Sequence, residues 1–326
     1  MARRASVAVV GTSHMDFIAY VDDFPEPGET VLGKGFATLH GGKGANQAVA
    51  ASRLGAICYL ISKVGDDFVG ESIIENAVKN GVVVDYLKKD ARSHSGVALI
   101  YVSASGENMI AVAPGVDSLV SEDDVVSARD AIASSDVVVA QLEIPVKTAE
   151  FSVRFAKGVG RKTLLNPAPA SELSEGVLRY VDFITPNRAE LAKLSGMKVE
   201  DDASISEAAG LLLERGVGCV LVTLGKRGSM VVTRSIQELV PAYEVKAVDT
   251  VGAGDAFNGA LAVALSAGCD VLEAARFANL VAALKVTRRG AQSGLPTFRE
   301  VADFVSSRGL EELNDVLVRI GNAKSG

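Results

Sequence analysis

The chain has 326 residues, and its 33 Lys+Arg against 40 Asp+Glu give a formal net charge of −7. Hydrophobic residues make up 48% and charged residues 22% of the sequence, which excludes intrinsic disorder and predicts a sizeable buried core. The acidic balance argues against a nucleic-acid partner, because phosphate contacts need clustered Lys and Arg.

The sequence also indicates a compartment. No apolar run approaches the roughly 18 consecutive residues of a membrane span, so we expect no membrane partner. The first apolar run, at 7–10, is too short for a signal peptide. Cys58, Cys219 and Cys269 stand far apart without a CxxC pair, so we expect buried thiols rather than a disulfide or a zinc site. These features predict a cytoplasmic protein.

Apolar runs of strand length alternate with amphipathic helical stretches along the chain. Strands that are apolar on both faces and alternate with helices are typical of a parallel sheet covered by helices on both sides. We therefore predict a three-layer, Rossmann-like α/β fold in a single domain over residues 1–326. The predicted strands lie at 6–11, 56–65, 135–143, 162–167, 181–187 and 218–225, and the predicted helices at 45–55, 70–81, 123–135, 145–158 and 205–216.

Two regions break this alternation. Residues 15–40 read as extended pieces around a Pro/Gly turn, and residues 95–113 read as two strands joined by the turn SGEN. Together they predict a small inserted β layer, called the lid below, that covers a ligand at the strand ends. Because an inserted sheet leaves edges and an apolar face to cover, we expect a homodimer in which the lids of two copies pair.

A glycine-rich helix start occurs at LHGGKGANQAVAASRLG (39–55), where Lys43, Asn46 and Gln47 fall on one side of the first turns. An amine and amides at this place suit a polyol or a phosphate. Solvated polar residues at a helix start eased by glycine are the open alternative. The Walker A-like spacing of GETVLGKG (28–35) is rejected, because Gly35 replaces the Ser/Thr and no strand precedes it.

Two further segments end strands with polar residues. Asn187 and Glu190 in ITPNRAELAKLSG (184–196) have the spacing of a helix capping box, and the alternative is a place beside a magnesium-bound triphosphate. In VLVTLGKRGSMVV (220–232), a strand ends at Thr223, and the glycines around Lys226 suit either nucleotide phosphates or a plain hairpin. Glu143 and Asp16 each follow a predicted strand, at the sheet edge where ligands bind.

The strongest candidate is AVDTVGAGDAFNGALAVALSAG (247–268), where a loop runs into a long helix. Gly252 and Gly254 flank the helix start, whose N–H groups lack intrahelical partners and favour an anion. Such a nest stabilises charge on a transferring phosphoryl group, and Asp255 could accept a proton from an attacking hydroxyl. The alternative is that Asp255 only caps the helix and the glycines only serve packing.

These segments together resemble the ribokinase family of carbohydrate kinases, also called the PfkB family. The resemblance extends over nearly the whole chain, from VVGTSHMD (9–16) to RRGAQSG (288–294). Its specific motifs are GGKGANQA and DTVGAGD; weaker ones are FPEPGET, QLEIP, LNPAPA, TPNRAE and VTLGKRG. The resemblance implies transfer of the γ-phosphoryl group of ATP to O5 of D-ribose, with Mg²⁺ and a monovalent cation, usually K⁺.

The resemblance also implies roles for individual residues. Asp255 would be the base and Gly252, Ala253 and Gly254 the anion hole. The sugar would be held by His14, Asp16, Gly42, Lys43, Asn46, Glu143 and Asp255. The nucleotide and its magnesium would be held by Asn187, Glu190, Thr223, Gly225, Lys226, Gly228, Gly254 and Asn279. The monovalent cation would be held, largely by backbone oxygens, at Asp249, Val251, Lys285, Arg288, Gly290 and Gly294.

One position departs from the family pattern. Bacterial members of the ribose-phosphorylating type carry Asn where this chain has His14, two residues before Asp16. The substrate alternatives therefore stay open: 2-deoxyribose, fructose or adenosine. A sugar-binding sensor without catalysis would lack the aspartate or the glycines, which are present. A nucleotide-dependent dehydrogenase would need GxGxxG where this chain reads GTSHMD. His40 and His94 are expected to have structural or solvated roles.

Overall fold

The computed structural model describes residues 4–324. Its strands begin at the predicted apolar runs, and most predicted bounds agree within two residues. Strands β5 and β13 are additions that the sequence pattern did not indicate. In chain order the strands are β1 Ser6–Val10, β2 His14–Tyr20, β3 Gly35–Gly41, β4 Ile57–Gly65, β5 Leu87–Asp90, β6 Gly96–Val102, β7 Asn108–Ala113, β8 Val137–Gln141, β9 Lys162–Asn166, β10 Phe183–Ile184, β11 Cys219–Thr223, β12 Ser229–Val232 and β13 Gln237–Val240.

Within the described range, nine strands form the main sheet in the order β13-β12-β11-β10-β9-β8-β1-β4-β5. Neighbours from β11 to β5 pair in parallel, and β12 and β13 form an antiparallel edge. The carboxyl ends of the parallel strands therefore lie along one edge, where ligands bind in open α/β sheets. The predicted fold class is confirmed.

The helices cover both faces of this sheet. The predicted helix at 123–135 is divided into two short helices at Ala128. The N–H of Ala128 is shared between Asp124 O and Val125 O, so the helical turn is tighter there. The helices are α1 Lys43–Arg53, α2 Phe68–Lys79, α3 Glu122–Ser127, α4 Arg129–Ser134, α5 Val146–Gly158, α6 Arg188–Ser195, α7 Asp202–Glu214, α8 Ala253–Ser266, α9 Val271–Val286, α10 Phe298–Arg308 and α11 Asn314–Lys324.

Alternate residues of each central strand enter different cores. In β1, Val7 and Val9 belong to the core that contains residues of α1, α8 and α9, whereas Ala8 and Val10 belong to the core that contains residues of α4, α5 and α7. This is what the period of two in a strand dictates when helices lie on both faces. All three cysteines are buried, as expected.

Helices α1 and α8 approach each other closely on one face. A methyl group at Gly259 of α8 would lie 2.6 Å from Cβ of Ala50 in α1, closer than packed side chains allow. Gly44 is similarly tight, since a Cβ there would lie 2.7 Å from the backbone of Gly11 and Thr12. Gly259 thus lets α8 approach α1, and Gly44 lets the first turn of α1 approach the chain that follows β1.

The second sheet is the lid, with strands in the order β3-β2-β6-β7. The predicted inserted β layer is therefore present. One detail differs from the expectation: Asp16 lies inside β2, with His14 at the strand's first residue, rather than in a loop after β1. The lid thus brings polar side chains of its own to the edge of the main sheet. Of the helices in residues 4–324, none has the length and apolar content to cross a membrane.

Candidate active site

The first turn of α8 lies at the centre of the candidate site. Its N-cap, Gly252, has φ +77°, a left-handed conformation that glycine adopts without strain. A Cβ built on Gly254 would meet no atom within 4 Å, so the space beside its backbone is open. Helix-start N–H groups facing open space can bind an anion.

Asp255, the next residue, faces the other way, towards α1. Its Oδ2 accepts a hydrogen bond from Asn46 Nδ2 at 2.8 Å, and its Oδ1 accepts one from Gln47 Nε2 at 3.0 Å. Burial raises the pKa of the Asp255 carboxyl, while Lys43 and the two amide donors act to lower it. The result is a buried carboxylate with a raised pKa, which is suited to accepting a proton.

An amide network behind Asp255 was not predicted from the sequence. Gln47 Nε2 also donates to Asn166 Oδ1 at 3.0 Å, and Gln47 Oε1 accepts from Gln141 Nε2 at 2.7 Å. All three side chains are buried. The signal was available, because these residues belong to GGKGANQ, LNPAPA and QLEIP, but their convergence depends on strand order. Because Gln47 Oε1 is held by Gln141, the Nε2 group of Gln47 is the one that faces the Asp255 carboxylate.

Glu143 closes another side of the site. Its Oε2 accepts from the backbone N–H of Lys43 at 2.9 Å and from the hydroxyl of Thr12. This approach requires glycine at position 42. Gly42 has φ +89°, and a Cβ built on it would lie only 2.8 Å from Ser13 Cα. The carboxylate thus joins the ends of β1 and β8 to the start of α1.

The ammonium group of Lys43 lies 4.0 Å from Glu143 Oε1. Burial lowers the pKa of Lys43, but the carboxylates of Asp255, Glu143 and Glu190 raise it by more. The charged amine therefore lies within electrostatic reach of carboxylates on both sides of the α8 start.

His14 lies between two lid-side carboxylates. Its Nε2 is 3.5 Å from Asp16 Oδ1, and its Nδ1 is 3.8 Å from Asp117 Oδ2. Burial lowers the pKa of His14, but Asp117, Glu143 and Asp16 together raise it above its ordinary value. Asp117 was missed in the sequence, because it comes from a short turn after β7 that carries no motif.

A cavity of about 640 Å³ opens on the far side of the α8 start from Asp255. Its lining includes seven residues predicted to hold the nucleotide or the anion: Thr223, Gly225, Lys226, Gly228, Ala253, Gly254 and Asn279. Its apolar wall, which the sequence did not indicate, includes Val245, Phe257, Ala283 and Val286. An apolar wall beside a few polar groups is typical of a small-molecule site.

Asn279 also has a structural task in this cavity. Its Nδ2 donates to Ser229 Oγ at 3.1 Å and to Val240 O at 3.0 Å, which ties α9 to the edge strands. Gly228 passes close to the same carbonyl, since a Cβ there would lie 2.1 Å from Val240 O. Both residues therefore shape the wall as well as line it.

Asn187 and Glu190 form the capping box that their spacing suggested. Asn187 Oδ1 accepts from Glu190 N–H at 2.9 Å, and Glu190 Oε2 accepts from Asn187 N–H at 2.8 Å. Asn187 also lines a second cavity of about 550 Å³, which shares Thr223 and Lys226 with the first. The two cavities thus meet at the carboxyl ends of β10 and β11.

The six predicted cation positions cluster around Asp249. Its carboxylate accepts from Gly290 N–H at 2.7 Å and from Val251 N–H at 3.0 Å. Lys285 Nζ donates to Asp249 O at 2.9 Å. The guanidinium of Arg288 instead pairs with Glu300 at 2.8 Å. The structure therefore brings these positions together, with a lysine side chain among them.

Two histidines stand outside this arrangement. His40 Nε2 lies 3.1 Å from Ser72 Oγ, and His94 Nδ1 lies 2.7 Å from Ser95 O. Both rings serve local contacts, as expected.

Fold and site together define a class. A mostly parallel α/β sheet carries a nucleotide-sized cavity on one side of a helix start and a buried, amide-held carboxylate on the other. Such an arrangement belongs to enzymes that transfer a phosphoryl group to a small polar acceptor.

Comparison with known proteins agrees with this class. The model of the pfkB family of carbohydrate kinases matches residues 4–298. The ribokinase of Bacillus subtilis is 40% identical over 301 residues, 92% of this chain and 99% of the relative. The deoxyribokinase of Salmonella typhimurium is 38% identical over 301 residues, 92% of this chain and 98% of the relative.

Solved structures agree as well. The structure of Arabidopsis thaliana ribokinase complexed with ribose and ATP matches with a TM-score of 0.85 and 31% identity, covering 93% of this chain and 99% of that one. The chain belongs to the pfkB family of carbohydrate kinases, and it is an ATP-dependent sugar kinase. The predicted family and enzyme class are confirmed.

Proposed function

We propose that the protein phosphorylates D-ribose at O5 with ATP, giving ribose 5-phosphate and ADP. The observation that carries this proposal is that Asp255 and Gly254 are neighbours in one turn and face opposite ways. Gly254 borders the large cavity, and Asp255 is held by Asn46 and Gln47 on the other side. The relatives that carry the name ribokinase support ribose as the sugar.

The sugar occupies the cleft between the lid and the main sheet. Asp16, His14, Lys43 and Glu143 border this cleft with partly exposed side chains. Carboxylates accept hydrogen bonds from sugar hydroxyls, and the lysine and imidazole donate them. Gly42 packs against Thr12 and Ser13 and so brings the start of α1 up to this cleft. Asn46 has a buried Oδ1 without a protein partner among the described residues.

ATP occupies the large cavity. Its base lies against the apolar wall near Asn279, and its phosphates extend towards Thr223, Gly225, Lys226 and Gly228. Asn187 lines the second cavity at the phosphate end, and Glu190, joined to it in the capping box, brings a carboxylate, an oxygen ligand that Mg²⁺ prefers. When bound with the nucleotide, Mg²⁺ neutralises charge on the phosphoryl oxygens.

The chemical step is an in-line displacement. Asp255 accepts the proton of the O5 hydroxyl as the bond from O5 to the γ-phosphorus forms. The bond from the γ-phosphorus to the bridging oxygen breaks, and its electron pair stays on ADP. The N–H groups of Gly252 and Gly254 stabilise charge on the transferred group, whereas that of Ala253 donates to Thr250 O at 3.2 Å and must turn from it to join them. The ammonium group of Lys43 adds positive charge between the two substrates.

Potassium activation is the one expectation that the residues present do not fit. Among the six positions, the ammonium group of Lys285 donates to the carbonyl of Asp249, an oxygen predicted to hold the ion. We therefore route no step of this mechanism through a monovalent cation.

A second candidate substrate is 2-deoxyribose. His14 departs from the asparagine of ribose-phosphorylating bacterial members, and a deoxyribokinase is among the relatives at 38% identity. An imidazole close to the ring positions that carry hydroxyls changes both the volume and the hydrogen bonding of the pocket.

The lid surface and the buried cysteines support one further proposal each. Its outer side exposes Phe36, Leu99, Tyr101 and Met109, and apolar patches of this kind mark interfaces. We assign this surface, the outer lid face, to a homodimer contact. The buried thiols suit a reducing compartment, so we place the protein in the cytoplasm.

The test is ADP release with Mg²⁺ present, measured for ribose, 2-deoxyribose, fructose and adenosine. We expect the highest kcat/KM with ribose, and in Asp255→Asn we expect turnover lower by roughly a hundredfold or more, the scale of a lost general base. Calorimetry with ribose serves as the control, because Asp255→Asn should still bind sugar.

Three outcomes would contradict parts of the proposal. A preference for 2-deoxyribose would identify His14 as the selective residue. Near-normal turnover of folded Asp255→Asn would remove that residue as base. Sugar binding without ADP release by the wild type would indicate a sensor instead of a kinase.

A further inference from the structure

Lys285 is a fully buried lysine in the last turn of α9, with 0% of its side chain exposed. Its Nζ donates to Asp249 O at 2.9 Å and lies 4.0 Å from Asp249 Oδ2. A buried ammonium group is costly unless it is paired and hydrogen-bonded. Asp249 provides both a carbonyl oxygen for a hydrogen bond and a carboxylate of opposite charge, so the fold compensates the buried ammonium group.

Asp249 connects the lysine to the start of α8. Its own N–H and that of Val248 both donate to Val286 O, which anchors the loop to the end of α9. Its carboxylate accepts from the N–H of Val251, immediately before the N-cap Gly252. A charge at Asp249 therefore acts on the loop that leads into the proposed anion hole.

The side chain of Lys285 lies beside Gly294, another of the six predicted cation positions. A Cβ built on Gly294 would lie 3.1 Å from Lys285 Cε, 3.1 Å from Arg288 O and 2.8 Å from Gly290 O. The absence of a side chain at Gly294 leaves the room that the lysine arm uses. Lys285 Nζ thus bonds one carbonyl expected to hold the ion, and its Cε lies beside Gly294, close to the place where the Arg288 and Gly290 carbonyls also lie.

We propose that the ammonium group of Lys285 replaces the monovalent cation, so that this enzyme phosphorylates its sugar without potassium. Both groups carry one positive charge and bind carbonyl and carboxylate oxygens, and they cannot share one small cavity because like charges repel. Burial lowers the pKa of Lys285 below its ordinary value, and Asp249 and Asp255 offset part of that effect by favouring the charged form. Lys285 is a positioning residue that acts through Asp249.

The first test is thermal unfolding of the purified full chain at matched ionic strength, in potassium chloride and in choline chloride. We expect the same melting temperature for the wild type in both salts. Lys285→Ala removes the ammonium group and opens its space, so potassium should raise its melting temperature by about 2 °C or more. Lys285→Met is the matched control, because it fills the space without a charge and should ignore potassium.

The second test is the rate of ADP formation in the same salts, and only this readout rests on the proposed function. We expect the wild-type rate to differ by less than about twofold at matched ionic strength. Lys285→Ala should lose roughly tenfold or more in choline, the scale of a weakened anion hole, and recover with potassium or methylammonium. Lys285→Met should stay slow in both salts.

Clear outcomes overturn the inference. Potassium stimulation of the wild type by more than about fivefold, well above an ionic-strength effect, would show that a separate cation acts. A potassium-dependent melting temperature of the wild type would show the same, even if Lys285→Ala does not fold. If no sugar is phosphorylated in any salt, the proposed function fails. The melting temperatures still test the role of Lys285, because they do not depend on activity.

Discussion

Three carboxylates, those of Asp16, Asp117 and Glu143, raise the pKa of His14 against the effect of its burial. Histidine is the side chain whose charge changes near neutral pH, so a raised pKa keeps the imidazolium charged further into the neutral range. The charged ring has two N–H donors, whereas the neutral ring has one donor and one acceptor. Sugar binding beside this ring should therefore depend on pH.

We predict that the KM for ribose rises by roughly three- to tenfold as pH increases through the raised pKa of His14, above its ordinary value of 6.5. The stability contributed by the imidazolium has the same sign, since it is complete below the unfolded pKa and is lost as pH rises through the folded one. The measurement is KM against pH from about 6 to about 9.

His14→Asn is the matched variant for this prediction. Asparagine donates a hydrogen bond but does not titrate, so its KM should be flat over the same range. A flat profile for the wild type, or an equal slope for both proteins, would contradict a role for the charge of His14.

At the scale of elements, the start of α8 combines two glycines with opposite surroundings. Gly254 borders open space in the large cavity, whereas Gly259, little more than one turn later, presses against α1. One glycine should therefore matter for chemistry and the other for packing. The short loop from Asp249 to Gly252 and the tight α1–α8 contact together determine where the Asp255 carboxylate lies.

We predict different outcomes for the same substitution at these two positions. Gly254→Ala should leave the melting temperature unchanged or slightly higher, because the methyl group meets no atom and alanine favours helix. Its kcat should fall roughly tenfold or more, since the methyl group occupies the space that the phosphoryl group needs. Gly259→Ala should cost about 1–3 kcal/mol of stability through overpacking, with kcat retained in the folded fraction.

Thermal unfolding and steady-state kinetics on both variants check this contrast. Full activity of Gly254→Ala would separate that residue from the transferred group. An unchanged melting temperature for Gly259→Ala would mean that α1 and α8 can move apart without cost.

At the scale of the whole molecule, the lid combines exposed apolar side chains with two edge strands. Lid pairs that share a side of the sheet, such as Tyr101 with Met109, present exposed apolar groups. The edge strands β3 and β7 each pair with only one neighbour among residues 4–324. Covering both features with a second copy would remove apolar area and free edges from water.

We predict a dimer in light scattering, at about twice the chain mass of 33.8 kDa. Leu99→Asp should shift it to the monomer, because a carboxylate would be buried in the outer lid face. Val318→Asp, on exposed α11 outside the lid, is the matched control and should remain dimeric. A monomeric wild type at micromolar concentration would contradict the assignment.

The sequence indicated the fold and the main parts of the site in different ways. The apolar runs that alternate with helical stretches predicted the parallel sheet, because a strand that is buried on both faces is apolar at nearly every position. GGKGANQA and DTVGAGD marked two helix starts, because open backbone at a helix N-terminus requires glycine there. The predicted helix at 123–135 is interrupted at Ala128, where Asp124 O accepts both the Ala128 N–H and the Ser127 hydroxyl, a local detail that the apolar pattern does not record.

What the sequence determined by itself is thus the set of local structures whose cause is local: strand pattern, capping boxes and glycine turns. Only the tertiary structure decided which polar side chains meet. Asp117 reaches His14 from a turn beyond the lid hairpin, and Gln47, Gln141 and Asn166 join from three separate segments. Contacts between segments depend on strand order and helix approach, which no short window of sequence records. For that reason the sequence marked Lys285 only as a cation position held by backbone oxygens, whereas the folded chain shows its buried ammonium group bonded to Asp249 O.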